Sequence, residues 1–90
     1  MAAIHRHGDL RACGATTIVS GQSNVYVNGV LVSVNQDQNT HGEGQLTASS
    51  NQVYVNNKLV VDVGDDALED DEGDTDTQSS SGSSNVFVGD

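Results

Sequence analysis

Valine stands at alternate positions on both sides of an Asn-Gly pair in Asn24-Val25-Tyr26-Val27-Asn28-Gly29-Val30-Leu31-Val32. Nearly the same string returns 28 residues later as Gln52-Val53-Tyr54-Val55-Asn56-Asn57-Lys58-Leu59-Val60, and a truncated copy, Asn85-Val86-Phe87-Val88-Gly89, follows a further 33 residues on. Apolar placement of period two marks a strand with one buried face. Asn-Gly between two such runs predicts a two-residue hairpin, because both residues tolerate the positive φ of a type I′ turn. In that register Val27 faces Val30 and Val25 faces Val32, so four valines share one face while Tyr26 and Leu31 share the other. Asn56-Asn57 is expected to turn the second copy in the same way, pairing Val55 with Lys58 and Val53 with Val60.

A Gly/Ser/Asn cluster precedes each copy, and a short strand is expected upstream of each hairpin at 16–19, 45–48 and 75–79. No segment sustains a helical period. Repeats at this spacing reuse one supersecondary unit. The predicted fold is therefore all-β, with three β-meander repeats about a pseudo-threefold axis in a single domain, 1–90. Repeat 1 covers about 13–35, repeat 2 about 41–63, and a truncated repeat 3 about 75–90.

Charge divides the chain further. Nine of its thirteen acids lie between Asp62 and Asp76, and in 64–84 only Ala67 and Leu68 carry non-polar side chains. That acidic and Ser-rich stretch is expected to be a loop or mobile excursion that contributes nothing to the core. A net charge of −10 argues against nucleic acid and anionic membranes as partners. The chain has no apolar run near the roughly 20 residues of a membrane span. Residues 1–11 lack the apolar centre of a signal peptide, which points to synthesis in a cytoplasm.

Of 90 residues only 21 are Leu, Ile, Val or Phe, and thirteen of those are Val. So thin a core calls for a staple. The single Cys13 excludes an internal disulfide, leaving a metal or a partner. His5, His7, Cys13 and His41 make up three imidazoles and a thiolate, a complete tetrahedral set for zinc. Cys13 precedes Val25 by 12 residues and His41 precedes Val53 by the same 12, so the repeat places them at matching points; the same offset from Val86 leads to Asp74. His5 and His7 point to one side of an extended segment and supply one or both of the remaining ligands. A structural metal on Cys13, His41 and at least one of His5 and His7 is the expectation.

Gly8-Asp9, Cys13-Gly14, the Gly/Ser lead-ins and the Val-Tyr-Val-Asn-Gly hairpin with its two echoes resemble the PAAR-repeat proteins, small domains at the tips of contractile injection machines. The resemblance covers roughly 4–63 and 80–90. It implies a sharp cone of three β-meanders with a zinc, or iron, near the vertex, held by His5, His7, Cys13 and His41. It also implies a broad base that caps a trimeric β-helical spike, of the phage spike/lysozyme type or VgrG-like, with one tip per trimer. The chain departs from the family where Gln36-Asp37 replaces the Gly-Asp expected after the first hairpin, in the acidic stretch before the third repeat, and in the motif that names the family. The Pro-Ala-Ala-Arg segment would fall at 30–33 and 59–62, and the chain has no proline.

The function expected on this resemblance is structural: a stand-alone tip on the central spike of a phage tail baseplate, touching the target envelope transiently as the spike penetrates. The same tip on a type VI secretion spike is the alternative. A small enzyme with Cys13 and His41 or His7 as nucleophile and base, or an open zinc activating water, is disfavoured in so short a chain. A calcium module in the acidic stretch fails on EF-hand order, because Gly73 at the sixth loop position would put Leu68 at the first.

Overall fold

Short strands joined by tight turns make up the regular structure. The computed structural model describes residues 2–49 and 53–88. It contains β1 (Ala2–Ala3), β2 (Thr17–Ile18), β3 (Tyr26–Val27), β4 (Val30–Leu31), β5 (Gln38–Asn39), β6 (Tyr54–Val55), β7 (Lys58–Leu59) and β8 (Phe87–Val88). The described residues include no helix, and so none that could cross a membrane. The molecule measures 30 × 24 × 22 Å.

The two internal hairpins take the register their turns dictate. Asn28 and Gly29 have φ of 54° and 77°, and Asn56 and Asn57 have 51° and 70°, the left-handed pairs of a type I′ turn. β3 pairs β4 with Val27 opposite Val30 and Tyr26 opposite Leu31; β6 pairs β7 with Val55 opposite Lys58 and Tyr54 opposite Leu59. Val32 and Val60 close the hairpins by donating to the Val25 and Val53 carbonyls, both at 3.0 Å.

The third hairpin is completed by the other end of the chain. β8 pairs antiparallel with β1, Phe87 opposite Ala3 and Val88 opposite Ala2, and Ile4 N–H donates to the Val86 carbonyl at 3.0 Å. Three extended segments follow the three hairpins and hydrogen-bond in a ring. His5 donates to Val61 (3.0 Å), Val61 to Ser33 (3.0 Å) and Ser33 to His5 (2.9 Å), each from N–H to carbonyl. The segments end in the same Asp-capped turn. The carboxylates of Asp9, Asp37 and Asp65 accept from the N–H of Arg6, Val34 and Asp62 at 2.9, 2.8 and 3.0 Å, a local bond that holds Asp in turns.

Ile4, Val32, Val60 and Val88 form the apolar core, with Val25, Val27, Val55 and Val86 half-buried against it. Each fully buried valine stabilises by roughly 1.5–3 kcal/mol. Beyond this cluster Val19, Val34, Leu46 and Val61 are buried singly among polar side chains. Arg11, 1% exposed, donates to the carbonyls of Gly44 (2.9 Å), Thr77 (2.9 Å) and Asp37 (3.2 Å) and to Thr17 Oγ1 (2.6 Å).

The acidic stretch is packed where an excursion was expected. Asp65, Asp70, Thr77, Ser79 and Ser83 are all buried. Their polar atoms are satisfied locally: Ser79 Oγ donates to the Asp62 carbonyl at 2.6 Å, and Ser83 Oγ accepts from Asn85 and Val86 N–H at 3.2 and 3.0 Å. Polar side chains bonded in this way are buried at little cost. Strand pairing around the acidic stretch is limited to single bridges, Leu46 with Ala67, Glu43 with Asp70 and Arg11 with Ser79.

Candidate metal centre

Past the Asp-capped turns, the chain makes three glycine turns with one hydrogen-bond pattern. Gly14 N–H donates to the Arg11 carbonyl (3.0 Å), Gly42 to Asn39 (3.1 Å) and Gly73 to Asp70 (3.0 Å). Their φ values of 95°, 93° and 82° lie where glycine is at ease and other residues are strained. Cys13 and His41 directly precede the first two glycines, so matched turns bring them together. The third turn contributes Asp70 and Asp74. Ligand atoms of Cys13, His41, Asp70 and Asp74 all lie within 4.8 Å of one another.

Asp70 organises this cluster. Its side chain is fully buried, and Oδ1 accepts from the N–H of Glu72 (3.0 Å) and Asp74 (3.1 Å). Oδ2 accepts from Asn39 Nδ2 at 3.1 Å and faces His41 Nδ1 at 3.1 Å and Cys13 Sγ at 3.9 Å. His41 Nδ1 is also 3.1 Å from Asp74 Oδ2, and the His41 backbone N–H donates to Asn39 Oδ1 at 2.9 Å. Desolvation opposes the charge on the Asp70 carboxyl, but the hydrogen bonds from Asp74, Asn39, His41 and Glu72 outweigh it and hold the group below the usual carboxylate range. For His41, desolvation is outweighed by Asp70 and Asp74, and the imidazole pKa is raised. About a third of the His41 and Asp74 side chains reaches solvent, so the cluster sits at the surface with Asp70 beneath it.

The other two histidines stand elsewhere. His5 is buried to 0% exposure, with Nδ1 2.7 Å from the Ser81 carbonyl and Nε2 2.6 Å from Thr17 Oγ1. A carbonyl only accepts, so Nδ1 carries the proton and Nε2 accepts from the Thr17 hydroxyl. Desolvation lowers the pKa of this neutral ring. His7 is exposed and accepts Val19 N–H on Nδ1 at 3.0 Å. Cys13 and His41 therefore share a site that His5 and His7 do not join. Its carboxylate members differ in legibility. Asp74 carries a signal in the repeat offset, whereas Asp70 has none among the nine acids around it.

The hairpins present different chemistry. Tyr26, Tyr54 and Phe87 are 57%, 59% and 52% exposed. Across 24–32, 53–60 and 85–88 there is no acid and one cation, Lys58. Charge and donor atoms gather at the glycine turns and the exposed aromatic side chains at the hairpins, while Leu10, Ile18 and Leu68 are exposed elsewhere. No protein-family model matches the chain and no curated protein matches its sequence, so its function is read from its own residues.

Proposed function

We propose that this protein is the tip of a trimeric spike in a contractile injection machine, a phage tail above all. It caps the spike with its hairpins and leads with its glycine turns. The observation that carries this reading is the hydrogen-bonded ring of His5, Ser33 and Val61, residues spaced 28 apart, each following one of three hairpins. A single chain arranged in this way about a pseudo-threefold axis offers three matching patches to three identical subunits, which is what capping a trimer with one copy requires. The acid-free hairpins with exposed Tyr26, Tyr54 and Phe87 form the broad base. The Cys13, His41 and Gly73 turns form the vertex of the cone.

The work done is mechanical. Tight turns, the ring and the buried Arg11 brace resist deformation when force is concentrated on the vertex, and no substrate is bound or changed. Zinc or iron bound jointly by His5, His7, Cys13 and His41 does not fit, because both His5 nitrogens are engaged and His7 is bonded to Val19.

Co-expression with the trimeric spike protein encoded in the same genome, followed by native mass spectrometry, tests the proposal. A complex of one chain per trimer that is lost in Tyr26→Asp/Tyr54→Asp is the expected result. A chain that stays monomeric beside a folded trimer overturns it.

A further inference from the structure

The acidic stretch has no role in capping, yet it supplies half of the donor cluster at the vertex. We infer that Cys13, His41, Asp70 and Asp74 bind one divalent transition metal, and that the two aspartates take the places in the coordination sphere that His5 and His7 leave open. The site differs from the three-histidine, one-cysteine set implied by the resemblance and stands apart from the capping reading.

Geometry carries the inference. Around a tetrahedral ion with ordinary bond lengths, nitrogen and oxygen ligands lie about 3.4 Å apart and sulfur and oxygen about 3.6 Å. His41 Nδ1 is 3.1 Å from both Asp70 Oδ2 and Asp74 Oδ2, and Cys13 Sγ is 3.9 Å from Asp70 Oδ2. Small side-chain adjustments bring all four donors onto one centre. Asp70 is already fixed for the task, since its Oδ1 is held by two backbone N–H groups and its Oδ2 is steered by Asn39. Outer contacts of this kind orient metal ligands.

The donor set also chooses the metal class. A thiolate, an imidazole and two carboxylates suit zinc, ferrous iron or cobalt. Calcium wants six to eight oxygens, and magnesium an octahedral, largely hydrated shell; two carboxylates meet neither demand. The thiolate and two carboxylates carry three negative charges, which a divalent ion leaves at one. Glu43, Asp71 and Glu72 lie on the same or adjoining turns, so the ion offsets repulsion that the chain alone does not.

Cobalt(II) is the probe, because a thiolate ligand gives a charge-transfer absorption and a four-coordinate ion gives intense visible bands. The intact protein is expected to bind one cobalt per chain with both signatures, in the presence of excess calcium and magnesium. Cys13→Ser is expected to lose the charge-transfer band. Asp74→Ala and Asp70→Asn are expected to weaken binding by at least about tenfold, while His7→Ala binds as the wild type does. Circular dichroism reports folding of each variant. Should Asp70→Asn not fold, the partly exposed Asp74 decides. Unchanged affinity in Asp74→Ala, loss of binding in His7→Ala, or a folded wild type that takes up no cobalt overturns the assignment. Spike capture by the same preparations is scored separately, so failure of the metal site and failure of capping are distinguishable.

Discussion

Arg11→Met is expected to destabilise the fold about as much as truncating a buried valine of the core, although it removes a charge from the interior. The guanidinium serves four acceptors: the carbonyls of Gly44, Thr77 and Asp37, and Thr17 Oγ1. Two of these keep another partner in the variant. The Asp37 carbonyl still accepts Leu46 N–H at 3.0 Å, and Thr17 still bonds His5. Among the described residues the Gly44 and Thr77 carbonyls accept from no other donor, and both bonds are buried. An orphaned buried acceptor costs about 1–3 kcal/mol, so two cost about 2–6 kcal/mol. Relief of guanidinium desolvation, which pushes its pKa down to about 10, offsets part of that. A net loss of about 2–4 kcal/mol is expected, against a total stability of about 5–15 kcal/mol for a domain. Arg11→Lys keeps the charge but not the planar fork that reaches several acceptors at once, and falls between the two. Urea unfolding at pH 7 with chelator present, which removes any metal contribution, measures the effect. A methionine variant within about 0.5 kcal/mol of wild type would mean that the carbonyls are otherwise satisfied and the brace is not one.

Stability is expected to fall with acid because of His5. Its folded-state pKa lies below the ordinary value of about 6.5, so the unfolded chain binds the extra proton; the contribution is full above about pH 6.5 and is lost as pH falls below it. Denaturation at pH 8, 7, 6 and 5 should show this slope flattened in His5→Gln, and an unchanged slope refutes the assignment. His41 works in the opposite sense, since its raised pKa adds stability below about pH 6.5 that is lost on going alkaline, so both measurements belong in a His41→Ala background. Gly82→Ala would drive a Cβ into the Ile4 carbonyl oxygen and is expected to cost about 1–3 kcal/mol, whereas Ala at Gly29, with open space but φ of +77°, costs about 1–2 kcal/mol; equal melting temperatures for Gly82→Ala and wild type would show that the contact yields. Removing 85–90 leaves β1 without its partner strand and takes Val88 from the core, so the truncated chain should lose cooperative thermal unfolding; a sharp transition at the wild-type temperature would show that the closure adds nothing.

The hairpins were legible because everything that decides them is local. Asn-Gly and Asn-Asn set the turn, and once the turn has two residues the valine pairing follows. Closure of the third hairpin was not, because its two strands sit at opposite ends of the chain, and local pattern stops at each terminus. A weaker signal did exist in the spacing of Gly8-Asp9, Gln36-Asp37 and Gly64-Asp65, which marks the first segment as kin to the other two. The polar interior escaped a reading that equates core with apolar residues. Arg11 and Asp70 are buried because of carbonyls, amides and N–H groups that include partners up to 66 residues away in the chain. The donor cluster was legible only as far as the repeat reaches. It gave Cys13, His41 and Asp74, while His5 and His7 were drawn in by residue type and by resemblance.

The three glycine turns explain why chemistry concentrates where the repeat is least regular. Arg11, Asn39 and Asp70 open them, each with its N–H bonded to a carbonyl four residues on: Ala15 (2.8 Å), Glu43 (3.0 Å) and Asp74 (3.3 Å). One backbone pattern thus carries a cation, an amide and an anion side by side in the interior. The amide of Asn39 hydrogen-bonds the anion, and the cation reaches the carbonyls of Gly44 and Thr77 on neighbouring segments. Three identical residues here would bury three like charges or leave polar groups without complements, both costly in a small core. Divergence of side chains on a repeated backbone resolves the conflict, freeing one turn to brace the fold and another to offer carboxylates to a metal. The two roles should be separable. Asp74→Ala should reduce metal-dependent stabilisation while leaving metal-free stability near wild type, whereas Arg11→Met should lower metal-free stability and leave the metal-dependent increment unchanged. If the Arg11 and Asp74 variants lose the same metal-dependent increment, brace and ligand site are one unit and the division of labour among the turns is wrong.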